Sequence, residues 1–248
     1  MRRDDDIIWH DVENGGYEAD LETWRRLAAA EAGPILDLGC GTGRVALHLA
    51  RRGHRVLGVD VHARLLATLR RRAAESGLAV EVVEADIREL PLGGRRFGLA
   101  VAPMQVLQLL SGGPERIEAM RSARAALKPG GLLATAIVTD APEETWMRGD
   151  HPPLPDVRED EEWIYSSLPL AVGNRDGRIV IERLRQIVGP EGELSEEPNR
   201  VELAMVDAAG LEAEGREAGF ESAGRVEIGG DPNYADSVIV LLRAGEPE

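Results

Sequence analysis

A chain of 248 residues, 43% hydrophobic and 29% charged, is long enough for one α/β domain with an insertion. Its net charge of −15, from 44 acidic against 29 basic residues, argues against a nucleic-acid backbone or an anionic membrane as partner. With Cys40 the single cysteine, no intramolecular disulfide or cysteine-built zinc site can form, and no apolar core follows the charged start Met1 to Asp6, so a cytoplasmic protein is expected.

The stretch from Asp4 to Tyr17 mixes acids with two isoleucines, Trp9 and His10, and ends in the turn signal Asn14-Gly15-Gly16. A helix is expected from Glu18, with Leu21, Trp24, Leu27 and Ala28 on one face, where Trp24 reads first as core. Ile35 to Arg44 reads as a buried strand, a glycine turn at Gly39, Gly41 and Gly43, and then a helix to Arg52. A helix N-terminus behind bare glycines offers main-chain N–H groups to a ligand. The dinucleotide fingerprint needs its third glycine where Arg44 stands, and Asp37 before the turn suits a cationic amine better than a pyrophosphate. Cys40 fits inside the turn by its small size. Asp37-Leu38-Gly39-Cys40-Gly41-Thr42-Gly43 resembles the first motif of class I S-adenosylmethionine-dependent methyltransferases, and the resemblance implies that Asp37, Gly39, Cys40, Gly41, Gly43 and Arg44 border the cofactor. Tyr17-Glu18-Ala19-Asp20-Leu21 resembles the tyrosine segment that folds over the cofactor in small-molecule N-methyltransferases, which makes Tyr17 and Trp24 candidates for that cover. An exposed turn tyrosine is the competing reading of Tyr17.

Arg55 to Asp60 reads as a second strand ending in an acid about twenty residues past the first glycine, where a carboxylate reaches ribose hydroxyls. Capping of the next helix, Ala63 to Ala74, would use the same residue type, but the matching distance favours ribose for Asp60, with Val61 beside it. Asp60→Ala is then expected to weaken an adenosyl ligand with little loss of stability. Gly77 ends the helix. Val80 to Asp86 is a third strand, and the resemblance gives Asp86 the adenine amine and Ile87 the ring face. Phe97 to Pro103 is a fourth strand whose exit, with Ala102 and Met104, is expected beside the cofactor methyl, and Gln105 and Gln108 there either face substrate or, equally, cap the helix on its exposed side. The Asp/Asn-Pro-Pro-aromatic signature of nucleic-acid amino methyltransferases does not stand there, and there is no cysteine for cytosine-C5 chemistry outside Cys40. Pro114 to Leu127 is an amphipathic helix, stopped by Lys128-Pro129-Gly130-Gly131 ahead of a strand from Leu132 to Thr139.

From Asp140 to Glu162 proline and acid dominate, with His151-Pro152-Pro153-Leu154-Pro155 as a stiff connector. Trp163 to Leu168, Arg178 to Val188 and Arg200 to Val206 then read as strands of an antiparallel meander, which makes Tyr165 a substrate-lining candidate. A helix from Asp207 to Ala218 and two strands, Gly224 to Gly229 and Asp236 to Arg243, close the chain. The resemblance implies an α/β, Rossmann-like sheet of seven strands in the order 3-2-1-4-5-7-6, last strand antiparallel, with helices on both faces and an antiparallel β insertion after strand 5. Residues 1–30 form a lid segment and helix, 31–140 the cofactor core, 141–206 the meander over the substrate side, and 207–248 the helix and strand pair that complete the sheet. The implied activity is in-line transfer of a methyl group from S-adenosylmethionine to N or O of a small molecule, releasing S-adenosylhomocysteine, by a monomer or homodimer. Alignment and desolvation suffice for an activated leaving group, so no catalytic residue is assigned among His10, Glu13, Tyr17 and Tyr165. His48, His54 and His62 read as surface residues, and no cluster has metal-ligand spacing. Two alternatives stay open: a non-catalytic binder of the cofactor or its product, and an NAD-dependent oxidoreductase, which Arg44 opposes.

Overall fold

The computed structural model describes residues 5–139, 145–146, 154–230 and 235–245. Most of the Asp140 to Pro155 connector, His151-Pro152-Pro153 included, lies outside the described residues, as do Met1 to Asp4.

The chain opens with α1 (Asp5–Asn14) and α2 (Leu21–Ala30), followed by β1 (Ile35–Leu38), α3 (Arg44–Ala50), β2 (Val56–Asp60), α4 (Ala63–Glu75), β3 (Val80–Glu84) and β4 (Phe97–Ala102). A 3₁₀ turn (Val106–Leu109), α5 (Gly113–Ala126) and β5 (Leu127–Ile137) complete this half. The later strands are β6 (Thr145–Trp146), β7 (Asp156–Asp160), β8 (Trp163–Arg175), β9 (Arg178–Val188) and β10 (Leu194–Ala204), before α6 (Ala208–Glu217), β11 (Phe220–Ile228) and β12 (Ser237–Ala244).

The main sheet runs β3-β2-β1-β4-β5-β12-β11, with β12 antiparallel to both neighbours. That is the strand order and orientation the resemblance implied, with the insertion strands numbered in between. Its central strands are covered on both faces and so are apolar almost throughout. Leu36 and Leu38 join one cluster with Met120 and Ala123 of α5 and Leu211 of α6. Ile35 joins the opposite cluster with Trp24 of α2, Val45 and Leu49 of α3 and Leu69 of α4. Asp37 is the polar exception in β1. Sequence order reverses beside β1, between β2 on one side and β4 on the other, the kind of point at which ligands bind outside the strand ends of such sheets.

Several boundaries differ from expectation: β8 runs on to Arg175, β10 begins at Leu194 and β11 at Phe220, and two further differences trace to specific contacts. α5 ends at Ala126 and β5 begins at once, because Leu127 already pairs with Phe97 while Leu132 pairs with Leu99; Pro129-Gly130-Gly131 is accommodated as an irregularity within the ladder, with Gly130 at φ 68. The N-terminal stretch is helical: Ile8, Trp9 and Val12 of α1 pack with Tyr165 on the insertion sheet, Trp9 meeting Tyr165 edge-on at 5.7 Å. Such a pair contributes roughly 0.5–1.5 kcal/mol beyond the area it buries.

The insertion forms a second, antiparallel sheet, β10-β9-β8-β6, with β7 also pairing β8. β7 takes Trp163 to Ser167 and β6 takes Ala171 and Val172, so two short strands share one edge of β8. No helix among the described residues is long and apolar enough to cross a membrane.

Candidate active site

The glycine turn is held by its neighbours. Gly39, Gly41 and Gly43 have φ of 64, 51 and 98, the left-handed region that glycine enters at little cost. A Cβ at Gly39 would lie 2.6 Å from Val106, and one at Gly41 would lie 2.2 Å from the His10 ring. Protein side chains therefore take the space these glycines leave, where the sequence suggested a ligand directly on the main chain. The N–H of Gly41 donates to Asp60 Oδ2 at 2.9 Å, and Asp60 Oδ1 accepts from the backbone N–H of His62 at 2.9 Å and lies 3.0 Å from its Nδ1. Asp60 thus ties the end of β2 to the turn after β1. His62 is a partner of this carboxylate and lies on the cavity wall, a role its reading as a plain surface residue missed.

A cavity of about 930 Å³ opens beside these strand ends. Of the residues the sequence proposed, Tyr17, Gly39, Asp60, Val61, Asp86 and Ile87 line it, as do Met104 and Gln105. Asp86 is held by Arg88, whose guanidinium and backbone N–H both donate to it and keep its carboxyl below the usual range. Met104 and Gln105 adopt φ of 51 and 60, unusual for residues with side chains, and so turn the chain sharply out of β4 into the cavity wall.

Other proposed residues stand behind the wall. Asp37 is buried, and neither carboxylate oxygen has a partner in good hydrogen-bond geometry among the described residues; burial pushes its pKa up to about 7, against the pull of Arg44 and of the nearby Ala46 backbone N–H. Cys40 packs against Gly58, where a Cβ would come within 2.6 Å of its sulfur, and burial raises its pKa far above the ordinary thiol value. Arg44 makes two bonds to Asp20 at 2.6 and 2.8 Å and a third to the Tyr17 carbonyl at 2.8 Å, with its guanidinium 5.3 Å from the Tyr17 ring centre. Trp24 is buried and donates its indole N–H to the same Asp20 at 2.7 Å. Arg44 and Trp24 therefore position Tyr17 from behind, without facing the cavity themselves. Ala102 is core.

Two substrate-lining expectations do not hold. Gln108 is fully buried, its amide N–H group donating to the carbonyls of Val138 at 3.0 Å and Ala204 at 3.2 Å, while its oxygen accepts from Val138 N–H at 2.8 Å. It staples the exit of β4 to β10. Tyr165 is buried under Trp9 and does not line the cavity.

Sequence reasoning placed residues 1–30 in a lid segment and helix without assigning contacts to α1, and this helix closes one side. His10, Glu13 and Asn14 line the cavity. Asp11 accepts from Thr42 Oγ1 at 2.6 Å, from Arg72 of α4 through both carboxylate oxygens, and from Arg158 of β7 at 2.6 Å. Burial opposes its ionised form, but these donors outweigh it and lower the pKa. Glu13 receives a two-pronged bond from Arg185 at 2.7 and 2.8 Å and one from Ser167 Oγ at 2.9 Å. Burial lowers the pKa of His10 and keeps its ring neutral against Gly41.

The sheet order, the glycine turn and acids at successive strand ends define a class I methyltransferase fold, and residues 35–131 match the family model described as methyltransferase domain. That match spans less than half of the chain. It is similar to a ubiquinone biosynthesis O-methyltransferase of Cereibacter sphaeroides, 30% identical over 158 residues, which are 64% of this chain and 59% of the relative. The chain spans about half the length of the curated relatives it matches. In structure it is similar to the sugar N-methyltransferase KedS8 from Streptoalloteichus, with TM-score 0.73, 20% identity and coverage of 97% and 92% of the two chains. The amino pentose methyltransferase CalS10 from Micromonospora echinaspora superposes with TM-score 0.71, 20% identity and coverage of 98% of both.

Proposed function

We propose that the protein is a cytoplasmic S-adenosylmethionine-dependent methyltransferase acting on N or O of a small molecule. The observation that carries this is the convergence of Gly39, Asp60, Asp86 and Ile87 from three consecutive β-strand ends on one cavity, with the orphaned carboxylate of Asp37 buried at the start of the same turn. Similarity to a structure described as S-adenosylmethionine-bound supports the choice of cofactor.

When bound, S-adenosylmethionine supplies a sulfonium methyl that leaves behind a neutral thioether. Asp60, already fixed by two backbone N–H groups, has lone pairs at the rim for ribose hydroxyls. Asp86 would accept from the adenine amine while Ile87 would pack the ring. Asp37, behind the wall, would act on the amino group of the methionine part through its charge. Tyr17, clamped by Arg44, would cover that part, and Gln105 would orient the nucleophile. The insertion would exclude water from the other side, and exclusion together with alignment would lower the barrier for an in-line displacement.

Isothermal calorimetry with S-adenosylmethionine and S-adenosylhomocysteine, followed by a product-release assay on amine and hydroxyl libraries, tests this. Binding of both with turnover of at least one acceptor is expected. Failure of both to bind overturns the reading, and binding without any turnover across the libraries replaces it with a cofactor-binding protein.

A further inference from the structure

The insertion presents one face in register. Across β8, β9 and β10, Val172, Ile181 and Val201 stand directly opposite one another, and Ile179 stands opposite Leu203. Side chains alternate between faces along a strand, so Ile179, Ile181 and Arg183 share a face with Val201 and Leu203. The irregularity between Pro169 and Ala171 brings Pro169 and Val172 to that same side in spite of their odd spacing. All of these line the cavity. Arg183 is the single polar side chain that the described residues of the insertion contribute to it. Leu109, Leu110 and Val138 extend the apolar wall, and Leu109 keeps 56% of its surface open.

Charges on this side are matched before any ligand arrives. Arg183 donates to Asp156 Oδ2 at 2.8 Å, and Glu13 is held by Arg185. A charged acceptor would compete with these partly buried pairs for no net gain. A polyhydroxylated acceptor would lose water from each hydroxyl against aliphatic side chains that return no hydrogen bond.

Resting on the transferase reading, we propose that the methyl acceptor is an uncharged, predominantly apolar molecule whose nucleophile sits at Gln105 and whose body lies along the Val172, Ile181, Val201 row. The closed fold shared with sugar N-methyltransferases then carries a pocket with a different preference.

The uncharged fluorophore N-phenyl-1-naphthylamine, titrated into the full chain saturated with S-adenosylhomocysteine, tests this. A saturable rise in emission is expected, reversed by 4-alkylphenols with affinity growing about fourfold per added methylene, and untouched by glucosamine at a hundredfold higher concentration. Ile181→Gln should weaken the fluorophore about tenfold and Val201→Thr several-fold, with S-adenosylhomocysteine affinity within twofold of the parent as proof of an intact core. Absence of saturable binding, unchanged binding in both variants, or better competition by glucosamine or an alkyl carboxylate overturns the acceptor class while S-adenosylhomocysteine binding keeps the transferase reading. Absence of S-adenosylhomocysteine binding in the parent overturns both.

Discussion

Asp37 shows how much one residue can hold in reserve. A carboxylate buried beside apolar strands is protonated more readily than in water, and its pKa rises from 3.8 to about 7 in spite of Arg44 and the Ala46 backbone N–H. The fold favours the protonated form, so its contribution to stability is complete below 3.8 and is lost as the pH rises through about 7. Asp37→Asn keeps the shape and removes the ionisation, and should be more stable than the parent at pH 8 by roughly 1–3 kcal/mol. The gap should close toward pH 4, as read by urea denaturation at both values. A ligand ammonium reverses the balance: binding of S-adenosylmethionine at pH 6 should release close to one proton, seen as buffer-dependent calorimetric enthalpy, and Asp37→Asn should abolish the release. Asp60 is the opposite case, since its oxygens are already engaged. Asp60→Ala should weaken S-adenosylhomocysteine by roughly 1–3 kcal/mol in calorimetry. The expectation of little stability loss needs correction, because the buried Gly41 N–H loses its acceptor, and a cost of about 1 kcal/mol should appear in denaturation.

At the scale of elements, what could be read from the sequence depended on whether the determining contacts were local. Gly39, Gly41 and Gly43 after an apolar strand, Asp60 at the end of β2 and Asp207 before α6 are self-contained signals, and each marks the boundary it announced, while β3 ends at Glu84, short of Asp86; Asp207 Oδ1 accepts from Gly210 N–H at 2.7 Å. The role of α1 depends on partners more than 100 residues away, Tyr165 and Arg185 among them, so the sequence placed it in a lid segment without naming the contacts that hold it. Gln108 misled for the same reason. An amide in an exit loop looks like a ligand contact until the carbonyl of Ala204, 96 residues on, is placed against it. α1 also carries the element-scale prediction. Asp11 joins it to the glycine turn, to α4 and to β7 at once, so Asp11→Ala leaves Arg72 and Arg158 without their shared carboxylate. The loss should cost about 2–3 kcal/mol in the range for hydrogen bonds to charged groups. Hydrogen exchange of the α1 amides should quicken far more than that of β1, β2 and β4, because the helix is fastened at its edge while those strands are buried on both faces.

Across the whole molecule, the cavity joins three parts of the chain that are far apart in sequence: α1 and Tyr17, the strand ends of the core, and the insertion sheet. The core part was legible because its motifs repeat along one strand order. The insertion wall was not, because its facing residues depend on the irregularity in β8 and on a register fixed only by pairing. A ligand that touches all three parts couples their stabilities, and its binding free energy adds to that of the folded state alone. At a hundred times its Kd, S-adenosylhomocysteine should add about 2.7 kcal/mol. With about 2–4 °C per kcal/mol for chains of this size, Tm should rise by about 5–10 °C in differential scanning calorimetry. Coupling makes a sharper claim than the shift itself. If the adenosyl ligand fastens α1 to the core through Tyr17, saturation should also slow exchange of the α1 amides, and in Asp11→Ala it should restore part of the protection the substitution removed. A rise in Tm with α1 exchange unchanged would confine the ligand to the strand ends and leave the N-terminal helix out of the site.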